Sequence, residues 1–212
     1  MIMKERSIVS VMASLTILGG SSLPVFAGYD RYPTNAEVQQ LRQEFHQKTV
    51  PKIRQSIKEG RGFGRDKRTA SDLENRASFI RAWSRVDPDI APFLGEWQGQ
   101  ENWLLIFPSN VRGRTCVIYL PGDAPNVVNF GMGSVSNSQL KVNLDGKRPA
   151  TLIQKQDYLG LIDVYKNKAS LWPQVMPKPL TELGSSFYGR DTSRIIPQLQ
   201  AAGCTAFGPK QR

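Results

Sequence analysis

From residue 95 onward the chain is a succession of short β-forming segments, each closed by a turn signal, and that rhythm restricts its fold more than any other feature. Segments 103–107, 115–120, 127–135, 140–144, 150–154, 158–165 and 169–172 are rich in branched, aliphatic and aromatic residues. Pro108-Ser109-Asn110, Pro121-Gly122-Asp123, Asn137-Ser138 and Asp145-Gly146 separate them. Leu140, Val142 and Leu144 alternate with Lys141 and Asn143, which predicts one buried and one wet face. Asp145-Gly146 is a hairpin signal, because both residues accept the left-handed backbone of a primed turn. A meander of about seven or eight strands follows, either closed into an antiparallel barrel or rolled into a strongly curved sheet.

Helical signals come first. Thr34 followed by Glu37 reads as a capping box, and Val38, Leu41, Phe45, Val50, Ile53 and Ile57 then form one apolar stripe with a break or kink at Pro51. A second helix is predicted over 70–86, capped by Ser71 or Asp72, with Leu73, Ala77, Ile80 and Trp83 on its apolar face and Arg76, Arg81 and Arg85 on its solvated side. Asp87-Pro88-Asp89 stops it. The predicted fold class is α+β, an N-terminal helical hairpin packed on the β unit. The domain reading is 1–27 signal peptide, 28–89 helical region with a basic glycine-rich loop, 90–175 β unit, and 176–212 C-terminal strap and short helix.

Between the helices, Lys58-Glu-Gly-Arg-Gly-Phe-Gly-Arg-Asp-Lys-Arg68 gathers three glycines with five cations, Lys58, Arg61, Arg65, Lys67 and Arg68. It is a candidate contact for an anionic partner, with Phe63 as an apolar point, or else an ordinary connector. A phosphate-binding loop is a poor fit, since such loops follow a buried strand and this one follows a polar helix.

The first residues carry Lys4 and Arg6 ahead of a mostly apolar stretch, 7–23, and small or branched residues at Val25-Phe26-Ala27, which predicts an export signal cleaved after Ala27. The compartment would be periplasm, thylakoid lumen or medium. The only two cysteines, Cys116 and Cys204, would then meet oxidising conditions and form a bridge, with a pair of buried thiols as the alternative. The formal net charge is +10, and removing Lys4, Glu5 and Arg6 with the leader leaves +9. Such a balance suits an acidic macromolecule or membrane surface, or serves solubility alone.

Pro92-Phe93-Leu94-Gly95-Glu96-Trp97 resembles the Gly-x-Trp opening of the lipocalin and calycin superfamily. That resemblance implies a barrel whose first-strand Trp97 plugs one end, with Arg194 as the late basic residue stacked on it. The longer run from Ala82 to Trp97 is similar to exported cyanobacterial proteins of unknown role.

No nucleophile elbow, nucleotide motif or metal-ligand spacing is present, so no catalytic residue, metal or cofactor is assigned. His46 has no assignable partner. Glu96 and Asp163 stand out because each interrupts an apolar strand, although outward projection explains both. Aromatics do not interleave with basic residues as in base-stacking surfaces, which argues against nucleic acid. Two readings remain. In the first, an exported non-enzymatic accessory protein engages an acidic partner through its basic surface; in the second, a lipocalin-like barrel holds a small hydrophobic ligand or pigment.

Overall fold

The computed structural model describes residues 31–184 and 186–209; the proposed leader and its cleavage site lie outside them. Eight antiparallel strands, each bonded to the next, close into a barrel. They are β1 (Gly95–Gln98), β2 (Asn102–Pro108), β3 (Arg114–Pro121), β4 (Asn129–Ser136), β5 (Gln139–Leu144), β6 (Arg148–Lys155), β7 (Tyr158–Tyr165) and β8 (Lys168–Lys178). The tight turns adopt the left-handed backbone that matches strand twist, at Asn137 and Ser138, at Asp145 and Gly146, and at Lys166 and Asn167. The first two pairs are legible as turn residues. Lys166-Asn167 is less so, because lysine seldom supplies this conformation.

Strand β8 differs from expectation. Pro173 and Pro177 suggest an extended strap from 173, yet both belong to β8, which continues to Lys178 and closes the barrel against β1. That closing seam is short and irregular: Glu96 pairs with Lys178 and Gln98 with Val175, with a register shift between them and Met176 in the left-handed region. Pro177, which donates no ladder hydrogen bond, is tolerated in this bulged stretch, whereas Pro173 precedes it and sits opposite Gly160 of β7.

Alternation sends Trp97, Leu104, Ile106, Val117, Leu140 and Leu152 into the barrel, where each is fully buried. A cavity able to hold a ligand would leave its lining atoms accessible, so this part of the interior is filled by its own side chains, as befits eight strands. One end is stoppered by the 3-10 turn Ala91–Phe93 and by Phe79, Ile80 and Trp83.

The helices cover the outside and that end. In α1 (Asn35–Glu44), the Thr34 side chain accepts from the Glu37 backbone N–H, and the Glu37 carboxylate accepts from the Thr34 N–H. Arg31 adds hydrogen bonds of 2.7 and 2.8 Å to Glu37. Led by Arg31, these contacts hold the carboxyl down to about 2. Pro51 does not break the helical run. Its missing N–H is accommodated by a π-helical turn, Phe45–Thr49, that leads without a gap into α2 (Val50–Lys58). The stripe Val38, Phe45 and Val50 packs on Ile153 and Ile162, which face outward from β6 and β7.

Helix α3 (Ala70–Ser84) is capped by Thr69, not by Ser71 or Asp72; Asp72 takes the third helical position of the box. Leu73, expected in its apolar face, is 45% exposed, and Phe79 packs instead.

The C-terminal segment, including the hairpin β9 (Ser186–Phe187) and β10 (Arg190–Asp191) and helix α4 (Ile196–Ala201), lies over β2 and β3. Leu180, Ile195 and Leu199 meet Leu105, Ile118 and Leu120 there. Buried Arg190 donates to the carbonyls of Pro121, Ala124 and Val127. The Cys116–Cys204 disulfide joins this segment to β3, with an S–S distance of 2.05 Å across 88 residues of sequence. Replacing both cysteines by serine should lower unfolding free energy by about 4 to 5 kcal/mol in the chain-entropy account. Urea titration of the two proteins would measure it, and an unchanged midpoint would mean the tail is held by packing alone.

Candidate functional site

At the stoppered end the Trp97 indole donates to the Phe93 carbonyl at 2.7 Å. The cation over its ring is Arg76, at 5.2 Å from the ring centre. Arg194, expected in that place, is exposed in the turn ahead of α4. The correction has a simple cause. Helix α3 crosses the barrel end and delivers Arg76 directly, while the C-terminal segment packs on the outer face of β2 and β3. Gly95, at φ +132°, sits where an added Cβ would lie 3.1 Å from the Lys178 carbonyl, so it permits the close β1–β8 approach.

At the other end, Asp163 faces inward and is 1% exposed. Arg148 donates to its Oδ2 at 2.5 and 3.0 Å, and the Trp172 indole donates to its Oδ1 at 2.9 Å. The Arg148 guanidinium also lies 4.6 Å from the centre of the Tyr119 ring. Burial is the largest influence on the Arg148 pKa and would lower it, but Asp163 and Tyr119 together outweigh it and the net shift is upward. Nearby in the wall, Gln174 is fully buried, and neither amide atom has a hydrogen-bond partner among the described residues. Beside it, a Cβ added at Gly99 would fall 2.2 Å from Asn102 Oδ1 and 2.8 Å from Gln174 Oε1, so both side chains would have to shift.

Glu96 points the other way, to the outside of β1, so the barrel wall separates it from Asp163 and the two carboxyls cannot act as a facing pair. It is nevertheless only 8% exposed, because the segment after β8 and the β9–β10 turn fold over it. Its Oε1 accepts from the Tyr188 hydroxyl. Together they line a cleft of about 710 Å³ walled by Asp72, Asn75 and Phe79 of α3, by residues 178–181, and by Phe187. Tyr188 stacks on Trp103 at 4.8 Å and occupies a left-handed position, φ +50°. For a bulky residue that conformation costs on the order of 1 kcal/mol or more, so its neighbours must hold it there.

The loop cations divide. Lys58, Arg61, Arg65 and Lys67 are exposed, with Arg61 paired to Glu59. Arg68 is not available: it bonds Asp66 at 2.7 Å, lies 3.6 Å from Asp157 and donates to the Pro177 carbonyl. Phe63, read as an apolar contact for a partner, packs instead beside Ile53, Val175 and Met176. His46 rests against the Phe45 ring, and burial, followed by the charges of Lys155 and Arg42, lowers its pKa.

Neither the family models nor the curated proteins nor the solved structures contain a match to the chain.

Sequence reasoning singled out Glu96 and Asp163 by their place in apolar strands but could not supply Tyr188, Arg148 or Trp172. These partners come from elsewhere in the chain and are assembled by closure.

Two outcomes follow. Arg148→Met strands a buried carboxylate and should cost about 3 to 5 kcal/mol in urea unfolding, whereas Arg148→Met with Asp163→Leu should recover much of it. Burial raises the Glu96 pKa above 4.5, against the opposing Tyr188 hydrogen bond and Lys178 charge and with Asp72 adding to the rise. The folded state therefore holds this proton more tightly than the unfolded chain, and the stability contributed by Glu96 falls as pH rises through that window. Comparing wild type with Glu96→Gln should show wild type losing ground from pH 4.5 upward. A pH-independent difference would rule this out.

Proposed function

We propose that this is an exported, non-enzymatic accessory protein whose basic loop engages an acidic macromolecule or membrane surface. The observation that carries the reading is how the loop between α2 and α3 is held. Phe63 and Arg68 anchor it from beneath, while Lys58, Arg61, Arg65 and Lys67 remain on its outer side. Gly60, Gly62 and Gly64 are all left-handed, which lets the loop, residues 59–69, fold compactly over the barrel seam. Cations presented on an anchored loop lose less freedom on binding than cations on a loose one. The net charge of +10 adds long-range attraction for an anionic surface.

The alternative, a lipocalin-like barrel for a small hydrophobic ligand or pigment, keeps one observation in its favour. Trp172 is 48% exposed at the end away from α3, two residues from the unpartnered Gln174 amide. The closed barrel and the Gly95-Trp97 opening suit that architecture. The filled interior favours the surface reading.

Sedimentation with vesicles containing anionic phospholipid, and with a soluble polyanion, tests the primary reading. Binding should weaken steeply between about 50 and about 300 mM salt. The fourfold variant Lys58→Ser, Arg61→Ser, Arg65→Ser, Lys67→Ser should lose at least roughly tenfold in affinity, since each surface cation contributes about 1 kcal/mol near an anionic leaflet. Binding that ignores both salt and the variant would defeat the reading.

A further inference from the structure

The cleft beside β1 has the opposite chemistry to the loop. Glu96, which lines it, is 8% exposed as a residue, and a carboxylate so placed is costly without a cation. Among the described residues its hydrogen-bond partner is the Tyr188 hydroxyl, and no ion pair to it is formed. Lys178, opposite it in the ladder, lines the cleft without closing that pair. Phe79, Phe187 and Tyr188 complete the walls with aromatic rings, whose negative faces attract a desolvated cation.

We propose that this cleft is a binding site for an aliphatic primary ammonium group, either a free polyamine or the lysine side chain of a partner protein, with Glu96 as its counter-ion. Ammonium is favoured over guanidinium by geometry. A guanidinium fork pairs best with both oxygens of a carboxylate, and Oε1 is already taken by Tyr188. An ammonium is a compact charge that needs only Oε2, and its alkyl chain can lie along the aromatic walls. Tyr188 is a positioning residue, held at φ +50° by its stack on Trp103 and its bond to Glu96. The groups facing Glu96 are Tyr188 from the β9–β10 turn, Lys178 from the end of β8 and Asp72 from α3. A bound cation would favour the ionised carboxyl and so oppose the rise that burial causes, and binding should strengthen as pH rises through the Glu96 titration. The inference does not rest on the loop reading, because it uses a different face and the opposite charge.

Calorimetric titration of the whole chain with cadaverine, and separately with the blocked peptide acetyl-Gly-Lys-Gly-amide, tests it. Saturable binding is expected, with an affinity that falls as the pH is lowered through the Glu96 titration. Tighter binding of cadaverine would name a free amine as the source, and tighter binding of the peptide a lysine side chain. Uncharged 1,5-pentanediol and the N-acetyllysine peptide should bind at least roughly tenfold more weakly, because the charge is what the site selects. Glu96→Gln should lose roughly tenfold or more, and Tyr188→Phe should bind more weakly while shifting the pH midpoint. The fourfold loop variant should bind amines as wild type does, which separates failure here from failure of the loop reading. No saturable binding of either amine, equal binding of the neutral analogues, or full affinity in Glu96→Gln would overturn the proposal. Should Glu96→Gln fail to fold, the neutral analogues on the wild-type chain decide alone.

Discussion

Closure of the barrel at β1 and β8 is the constraint on which the remaining structure depends. Every other neighbouring pair of strands forms a hairpin or short meander, but this seam joins the first strand to the last through two paired positions and a register shift. A seam with so few ladder bonds cannot hold by backbone hydrogen bonding alone. What reinforces it comes from the N-terminal region. Ile53 of α2 and Phe63 of the loop pack with Val175 and Met176. Arg68 bonds the Pro177 carbonyl, and Arg76 lies over Trp97 of β1 while pairing with Asp157 in the β6–β7 turn. The helical region is thus a clamp across the closing edge as well as a cover for the outer surface. Asp157 is half exposed, so its ion pairs serve more to orient the two arginines than to add stability.

Closure also explains why the buried charges are arranged as they are. Residues two apart on a strand share a face, so Asp163 and Leu161 both enter the barrel, and a carboxylate there must be neutralised from within. Arg148 from β6 and Trp172 from β8 do this across neighbouring strands. On the outside the C-terminal segment has no strand ladder to hold it, and uses specific bonds instead. Arg190 gathers three carbonyls of the β3–β4 connection, and Cys204 is bonded to β3. Because that segment is fixed, it can hold Tyr188 over Glu96 in a backbone conformation tyrosine would not choose.

Much of the architecture was legible locally, and what was not has a common cause. Alternation in 140–144, the turn residues Asp145-Gly146 and the Thr34–Glu37 box each depend on a few adjacent residues, and each appears in place. Pro51 and Pro177 do not interrupt their elements, because a missing N–H is disruptive only where a regular ladder needs it. A π-turn and a bulged edge supply places where it does not. Arg76 looked solvated because the helical wheel shows Leu73 and Ala77 as the apolar side, whereas α3 crosses the barrel end and turns Phe79 and Arg76 inward. Glu96 could be noticed as an anomaly within an apolar run, but Tyr188 is 92 residues away and no local pattern links them. The basic loop was legible by composition; the separation of Arg68 and Phe63 from the exposed cations was not.

A chain of net charge +10 that carries a carboxyl-floored cleft is physically consistent, because the two features act over different distances. The field of the exposed cations is screened within about 8 to 10 Å at ordinary ionic strength, and steers whatever approaches the loop. The Glu96 carboxyl acts only on groups that enter the cleft, where water is thinned and a single short contact outweighs distant charges. Both features share the first turn of α3. Thr69 ends the loop and caps the helix, while Asp72 closes the box and lines the cleft three residues on. Arg68, immediately before that cap, is tied to the β8 end at Pro177, next to Lys178 at the cleft edge. Anything that displaces Arg68 therefore moves one wall of the cleft and the base of the loop together. The same clamp that closes the barrel seam sets the spacing between a surface suited to anions and a cleft suited to a cation.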